Sequence, residues 1–258
     1  MKVFITGASS GIGEALAREY RRRHPQAALG LVARRADALH ALAHALDGDR
    51  TLALPADVAD RGAMQRAADT YVQRFGVPDV VIANAGISAG TVTGAPGDAE
   101  VFERIVRTNV IALFDTFAPF VPDMRAAGAG CLVGIASVAG VRGLPGAGAY
   151  SASKAAAISY LESLRVELRG SGVGVVTIAP GYIRTPMTAT NRYRMPFLTD
   201  VDVFARKAVA AIEARRSFAV IPWQMGVVAR GLRLLPNGVF DALFARAPRK
   251  ARDPQGSA

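Results

Sequence analysis

Short apolar runs rich in β-branched residues alternate with amphipathic stretches through most of the chain. The runs fall at 2–6, 27–33, 51–55, 79–83, 130–137, 173–179 and 218–221, and several are apolar at every position. A strand reads this way when both of its faces are covered, whereas a sheet with one wet face alternates. The intervening stretches, near 11–23, 36–46, 60–75, 98–126, 149–169 and 201–215, carry apolar residues at helical spacing. Strand–helix alternation of this kind implies right-handed crossovers and a parallel sheet. The predicted fold is α/β, a doubly wound parallel sheet of seven strands with helices on both faces. A C-terminal helical extension completes it.

Two regions break the rhythm. Residues 181–200 form a long excursion after the sixth run, a place where functional lids occur. Beyond residue 221, Trp223, Val227, Val228, Leu232, Leu235, Phe240 and Phe244 alternate with Arg230, Arg233, Arg246, Arg249, Lys250 and Arg252. That pattern predicts one or two amphipathic helices, broken at Pro236-Asn237-Gly238. The expected organisation is one domain over 1–222, then an extension over 223–258 with a disordered end.

Length and composition agree with this picture. A chain of 258 residues buries a full core as one large α/β domain. With 51% hydrophobic and 20% charged residues it has the balance of a globular protein rather than a disordered one. No apolar run reaches the roughly 20 residues needed to span a bilayer. Met1-Lys2-Val3-Phe4-Ile5 enters a strand at once without the regions of a signal peptide. The single Cys131 excludes an intrachain disulfide and suits strand packing. The cytoplasm is the expected location. The net charge of +10 is carried by scattered arginines, with no basic block interleaved with aromatics and no zinc spacing. Neither nucleic acid nor a metal is expected; a basic face suits a phosphorylated cofactor.

Such a cofactor has a seat at the start of the chain. Thr6-Gly7-Ala8-Ser9-Ser10-Gly11-Ile12-Gly13 follows the first strand and opens the first helix. A turn lacking side chains lets the backbone approach a pyrophosphate, and the helix N-terminus offers free N–H donors. After the second strand, where NAD-binding proteins often place an acid, stand Arg34 and Arg35. An arginine there pairs with a ribose 2′-phosphate. The expected cofactor is NADP(H) in preference to NAD(H), mainly through Arg34.

Tyr150 and Lys154 stand four apart in a helix-forming stretch, with Ser137 upstream at the end of an apolar run. Residues at that spacing share a helical face. A phenol titrating near pH ~10 becomes a useful acid or base only if its anion is stabilised, and a nearby ammonium does this.

Taken together, the chain resembles the short-chain dehydrogenase/reductases. The resemblance covers residues 1 to about 222. It rests on Thr6-Gly7-x-x-x-Gly11-x-Gly13, Asp57-Val58, Asn84-Ala85-Gly86, Thr108-Asn109-Val110, Ser137, Tyr150-x-x-x-Lys154 and Pro180-Gly181 in this order. It implies a Rossmann-type fold and a catalytic set of Asn109, Ser137, Tyr150 and Lys154. Cofactor contacts are implied for Gly7, Ser9, Ser10, Gly11, Ile12, Gly13, Arg34, Asp57, Val58, Asn84, Ala85, Gly86, Tyr150, Lys154, Pro180, Gly181, Ile183 and Thr185. By the same resemblance Asp57 bonds the adenine amino group with Val58 beside the ring. Asn109 holds a water leading from Lys154 to solvent, and Thr185 lies near the nicotinamide carboxamide.

The implied reaction interconverts a carbonyl and an alcohol, with Tyr150 as general acid/base. Ile87, Val92, Val141, Leu144, Pro145, Met187, Met195, Phe197 and Leu198 suggest a lipophilic substrate. Arg142, Arg184, Arg192 and Arg194 leave room for an anionic one, such as a 3-oxoacyl thioester. A homodimer through helices 98–126 and 149–169 is expected by analogy. The extension either caps the pocket, contacts a subunit or attaches peripherally to an anionic membrane. Two rivals are a nucleotide-sugar epimerase or dehydratase and a non-catalytic NADP(H)-binding redox sensor.

Overall fold

Val3 and Ile5 point one way out of the first strand and Phe4 points the other, and all three are fully buried. That single triplet requires cover on both faces, and the molecule supplies it. The structure is a computed structural model that describes residues 1–191, 193–247 and 249–252. Its main strands are β1 (Lys2–Thr6), β2 (Ala28–Ala33), β3 (Thr51–Pro55), β4 (Val80–Ala83), β5 (Gly130–Ile135) and β6 (Val173–Pro180). Two short pieces, β7 (Ile183–Arg184) and β8 (Thr199–Asp200), precede the last strand, β9 (Phe218–Ile221). The large sheet is parallel in the order β3-β2-β1-β4-β5-β6-β9. The chain therefore reverses its direction of travel between β1 and β4. Sheets of this kind take their ligands at that point, beyond the strand C-termini.

The first face is covered by α1 (Gly11–Arg23), α2 (Ala36–Ala45) and α9 (Val201–Glu213). Leu16, Tyr20, Leu39, Phe204 and Ile212 from these helices meet Val3, Ile5, Leu29, Val133 and Ile178 of the sheet. The second face is covered by α3 (Arg61–Phe75), α5 (Ala112–Phe117), α6 (Val121–Ala127) and α7 (Gly148–Glu167). Met64, Tyr71, Phe117, Phe120 and Leu161 pack there against Phe4, Val81 and Leu132. Cys131 lies buried in the sheet, as expected from its apolar run.

Three stretches differ from the sequence reading. The single helix expected over 98–126 is α4 (Asp98–Val106), a π turn (Arg107–Ile111), α5 and α6. Pro119 lacks the N–H that would continue α5, and Pro122 suits the first turn of a new helix. Residues 181–200 contain β7, β8 paired in parallel with it, and the single turn α8 (Pro186–Ala189). The fifth strand stops at Ile135, and Ser137 instead begins a 3-10 turn (Val138–Gly140).

The C-terminal extension forms α10 (Trp223–Leu234) and α11 (Asn237–Phe244), so the break falls at Leu235-Pro236 and Asn237 already belongs to the second helix. Met225 and Ala229 are buried against the main body. Arg142 ties the two helices down. Its guanidinium donates to the Leu232 and Leu235 carbonyls, both at 2.7 Å, and to Asn237 Oδ1 at 3.0 Å. It also lies 4.1 Å over the Phe240 ring. Among the described residues no helix is long and apolar enough to cross a membrane.

Candidate active site

All the predicted site elements gather at the C-terminal edge of the sheet. At the switch point, Thr6 Oγ1 accepts hydrogen bonds from the backbone N–H of Asn84 (3.1 Å) and Ala85 (3.2 Å). The Asn84 amide donates in return to the carbonyls of Thr6 (2.9 Å) and Gly7 (3.2 Å). These bonds lock the end of β4 onto the glycine turn. Gly13 has no room for a side chain, because a Cβ would overlap the Gly7 carbonyl and stand 2.6 Å from the Asn84 amide nitrogen. Gly7 adopts the left-handed conformation, at φ 67°, that tucks the turn inward. Ser10 begins α1 without a side-chain cap, so the donors of the first turn are left for a ligand. Ile12 packs against the first-face core.

Both arginines after β2 are exposed. Arg35 folds back over the turn, donating to Ser9 Oγ and to the Ser9 carbonyl, each at 3.1 Å. The described residues provide no partner for Arg34. Asp57 uses one oxygen to accept the Ala59 N–H at 2.9 Å, shaping its own turn, and Val58 is buried in the second-face core. Pro180 closes β6, and Gly181 donates its N–H to the Ile221 carbonyl at 2.9 Å. Ile183 is buried, while Thr185 faces the glycine turn, 3.5 Å from where a Gly11 Cβ would stand.

The three catalytic candidates converge beside this cleft. Ser137 is buried and its Oγ accepts the Ala139 N–H at 3.1 Å, which fixes the hydroxyl at the end of β5. Helix α7 presents Tyr150 in its first turn and Lys154 one turn later. The Lys154 Nζ donates to the Ile135 carbonyl at 2.8 Å and lies 5.9 Å from the centre of the Tyr150 ring. Burial pulls the Lys154 ammonium down to about 8. Burial also raises the Tyr150 phenol, opposed by its hydrogen bond with Ser137. This differs from the expectation that Lys154 lowers the phenol in the free protein. The phenol's desolvation outweighs other effects, and the ammonium is directed to the Ile135 carbonyl rather than to the phenol oxygen.

Asn109 sits in the π turn, a distortion frequent at functional sites. Its Oδ1 accepts the Ile87 N–H (2.9 Å), while its Nδ2 donates to the Ile87 carbonyl (3.0 Å) and to Ser153 Oγ (3.0 Å). Ser153 donates to the Tyr150 carbonyl at 2.8 Å. Asn109 thus braces both the loop after β4 and the start of α7. A Cβ on Gly86 would stand 3.3 Å from its Oδ1 and 3.5 Å from Lys154 Nζ. Gly86 therefore faces the junction of the two.

Of the four arginines considered for an anionic substrate, Arg142 is occupied by α10 and α11, and Arg184 pairs with Asp200 at 2.8 Å. Arg194 is exposed, and Arg192 lies outside the described residues. Ile87 packs into a small cluster with Val101 and Ile105, whereas Met187 and Phe197 remain exposed. Sequence reasoning missed two neighbours of Tyr150, namely Tyr193 and Lys250. Tyr193, stacked edge-on against Tyr182 at 6.2 Å, is close enough to Tyr150 to be felt electrostatically. Lys250 Nζ lies 5.9 Å from the centre of the Tyr150 ring and donates to Ser88 Oγ at 2.7 Å. Nothing in the sequence pattern marks either of them.

The residues present fit a dinucleotide. The glycine turn is a cradle that a Cβ would fill, the first turn of α1 has no side-chain cap, and two exposed arginines follow β2.

Comparison with known proteins agrees. The family described as short chain dehydrogenase matches residues 1–195. An uncharacterized oxidoreductase of Myxococcus xanthus is 38% identical, covering 94% of this chain and 95% of its own. The 2-(R)-hydroxypropyl-CoM dehydrogenase of Xanthobacter autotrophicus is 32% identical, covering 93% and 98%. A short-chain dehydrogenase from Sphingobium yanoikuyae, solved in complex with NADPH, superimposes with a TM-score of 0.78 at 28% identity, covering 100% and 98%. Sequence, sheet order and site geometry lead to one assignment: this chain belongs to the short-chain dehydrogenases and is an oxidoreductase acting on alcohol or carbonyl groups.

Proposed function

We propose that the protein interconverts a carbonyl and an alcohol with NADP(H) in preference to NAD(H), and that Tyr150 is its general acid/base. The observation that carries this reading is the convergence of Ser137, Tyr150 and Lys154 next to the glycine turn, on one edge of the sheet. When bound, the dinucleotide supplies or accepts the hydride. In the reductive direction the carbonyl π bond breaks as a C–H bond forms at carbon, and Tyr150 Oη gives its proton to the oxygen. Ser137 Oγ donates a second hydrogen bond to that oxygen as its negative charge grows. The raised phenol of the free protein keeps its proton at neutral pH, and giving that proton up calls for a stabilised anion. Oxidation needs the phenolate, which the Lys154 ammonium favours once it is free to turn toward the cleft.

Cofactor contacts fall to Gly7, Ser9, Ser10, Gly11, Ile12 and Gly13 at the pyrophosphate, and to Arg34, with Arg35, at the 2′-phosphate. Asp57 and Val58 serve the adenine, and Asn84, Ala85 and Gly86 the ribose side. Pro180, Gly181, Ile183 and Thr185 serve the nicotinamide. Asn109 holds the geometry that Lys154 and Tyr150 need, beside a proton path to solvent. The same reading takes the protein as a cytoplasmic homodimer. Support comes from Phe102, Ile111, Phe114 and Val166, which are exposed on α4, the π turn, α5 and α7.

The test is Tyr150→Phe assayed with NADPH and a carbonyl panel. Turnover should fall by roughly 10²–10⁴, the range for loss of a general acid, with NADPH affinity little changed. Near-wild-type turnover in that variant would remove Tyr150 from the mechanism.

A further inference from the structure

Residues 249–252 run back across the mouth of the site after α11, and the contacts that hold them are specific. Arg252 forks onto the buried Asp98 carboxylate, with Nε 2.9 Å from Oδ2 and the second nitrogen 3.0 Å from Oδ1. It also donates to the Pro96 carbonyl at 3.1 Å. The Gly90 N–H donates to the Ala251 carbonyl at 2.8 Å, forming a parallel bridge between Gly90 and Arg252. The Lys250 carbonyl passes so close over Gly90 that a side chain there would collide with it.

This clamp holds the Lys250 ammonium at the Tyr150 ring, as near to it as Lys154. The two amines have different surroundings. Lys154 is turned back to a strand-end carbonyl, whereas Lys250 has only the Ser88 hydroxyl, and among the described residues no carboxylate pairs with it. Burial disfavours its charge and no carboxylate among the described residues offsets it, yet the amine stands 5.9 Å from the centre of the Tyr150 ring. The arginines nearest in sequence to the site, Arg142 and Arg184, already have partners. An anion brought by the substrate is the missing counter-charge.

We propose that Lys250, held by the Arg252–Asp98 clamp and assisted by Ser88, is a substrate-binding residue that selects carbonyl compounds bearing a carboxylate, or another small anionic group, a few bonds from the reacting carbon. The proposal rests on the reading of Tyr150 given above. The close approach of Lys250 to Tyr150 limits the spacer, so short oxo-acids fit better than long carrier-bound chains. The exposed Met187 and Phe197 accommodate an apolar remainder.

The experiment compares pyruvate, acetoacetate and levulinate with their methyl esters as substrates for NADPH oxidation. Wild-type protein should favour at least one acid over its ester. Lys250→Met should cut the acid-over-ester ratio of kcat/KM by about 10–100-fold, the span of one charge-assisted hydrogen bond, and Lys250→Arg should restore part of it. Arg252→Gln, which releases the clamp while keeping Lys250, should lower the same ratio. An unchanged ratio in Lys250→Met, or a wild-type preference for every ester, overturns the proposal. Calorimetric titration of the NADP⁺-loaded protein with the same acids gives a readout independent of turnover. Acid binding that is lost in Lys250→Met while no carbonyl is reduced would sustain the anion site and sink the reductase reading. Acid binding indifferent to Lys250 would sink the anion site alone.

Discussion

Lys154→Met separates the energetic cost of the site from its use. The wild-type ammonium falls from an ordinary 10.5 to about 8 through burial alone. At about 1.4 kcal/mol per pKa unit, holding it charged in the folded protein costs about 3 kcal/mol below pH 8. The direction of the pH effect follows. Between about pH 8 and 10.5 the folded state releases the proton while the unfolded chain keeps it, so stability rises with pH across that window. Methionine fills a similar space without charge, but it leaves the Ile135 carbonyl without its 2.8 Å donor, a loss of about 1–2 kcal/mol. The variant lacking cofactor should therefore be more stable than wild type by about 1–2 kcal/mol at pH 7. It should be less stable by about 1 kcal/mol near pH 10.5, where the neutral wild-type amine still donates to Ile135. Urea unfolding of both proteins at the two pH values measures the double difference, in which all other titrations cancel. Turnover at pH 7 should be lost in the stabilised variant. A variant less stable than wild type at pH 7, or a difference that does not change with pH, would refute the account of a desolvated ammonium.

Arg34→Asp should weaken NADPH binding by about 10–100-fold and move preference toward NADH, because a charge-assisted phosphate contact is replaced by a repulsion; comparing kcat/KM for the two cofactors decides it. Arg142→Ala removes the donor to two carbonyls closing α10 and the cation over Phe240, so residues 223–244 should exchange amide hydrogen faster by about 10-fold or more, while β1 and β4 keep their protection. Phe114→Asp combined with Ile111→Asp should turn the expected dimer into a monomer in sedimentation, since it puts charge on the exposed apolar strip of α5 and the π turn; an unchanged sedimentation coefficient would place the contact elsewhere.

Much of the fold was legible because it depends on local pattern. An apolar run such as that around Val80–Ala83 fits a strand covered on both sides, and a glycine turn set between strand and helix fits a phosphate cradle. The positions of Tyr150, Lys154 and Ser137 were readable for the same reason, since helical spacing alone puts two of them on one face. The break at Pro119 in the long helix has a local cause, the N–H that proline lacks. The π turn around Asn109 had no such signal, because it answers to packing from α4 and α7.

What sequence determined was which groups could do the chemistry; the tertiary structure decided their electrical state and their neighbours. A phenol and an amine four residues apart have ordinary titrations until a sheet edge and a wrapped tail exclude water from both. Lys250 lies a hundred residues from Tyr150 along the chain, and no periodicity connects them. Contacts between distant segments, the Arg252–Asp98 clamp, the Gly90–Ala251 bond and the Lys250–Ser88 bond, set that amine beside the ring. Local pattern is written in neighbouring residues, whereas desolvation and long-range charge placement exist only after the chain has closed on itself.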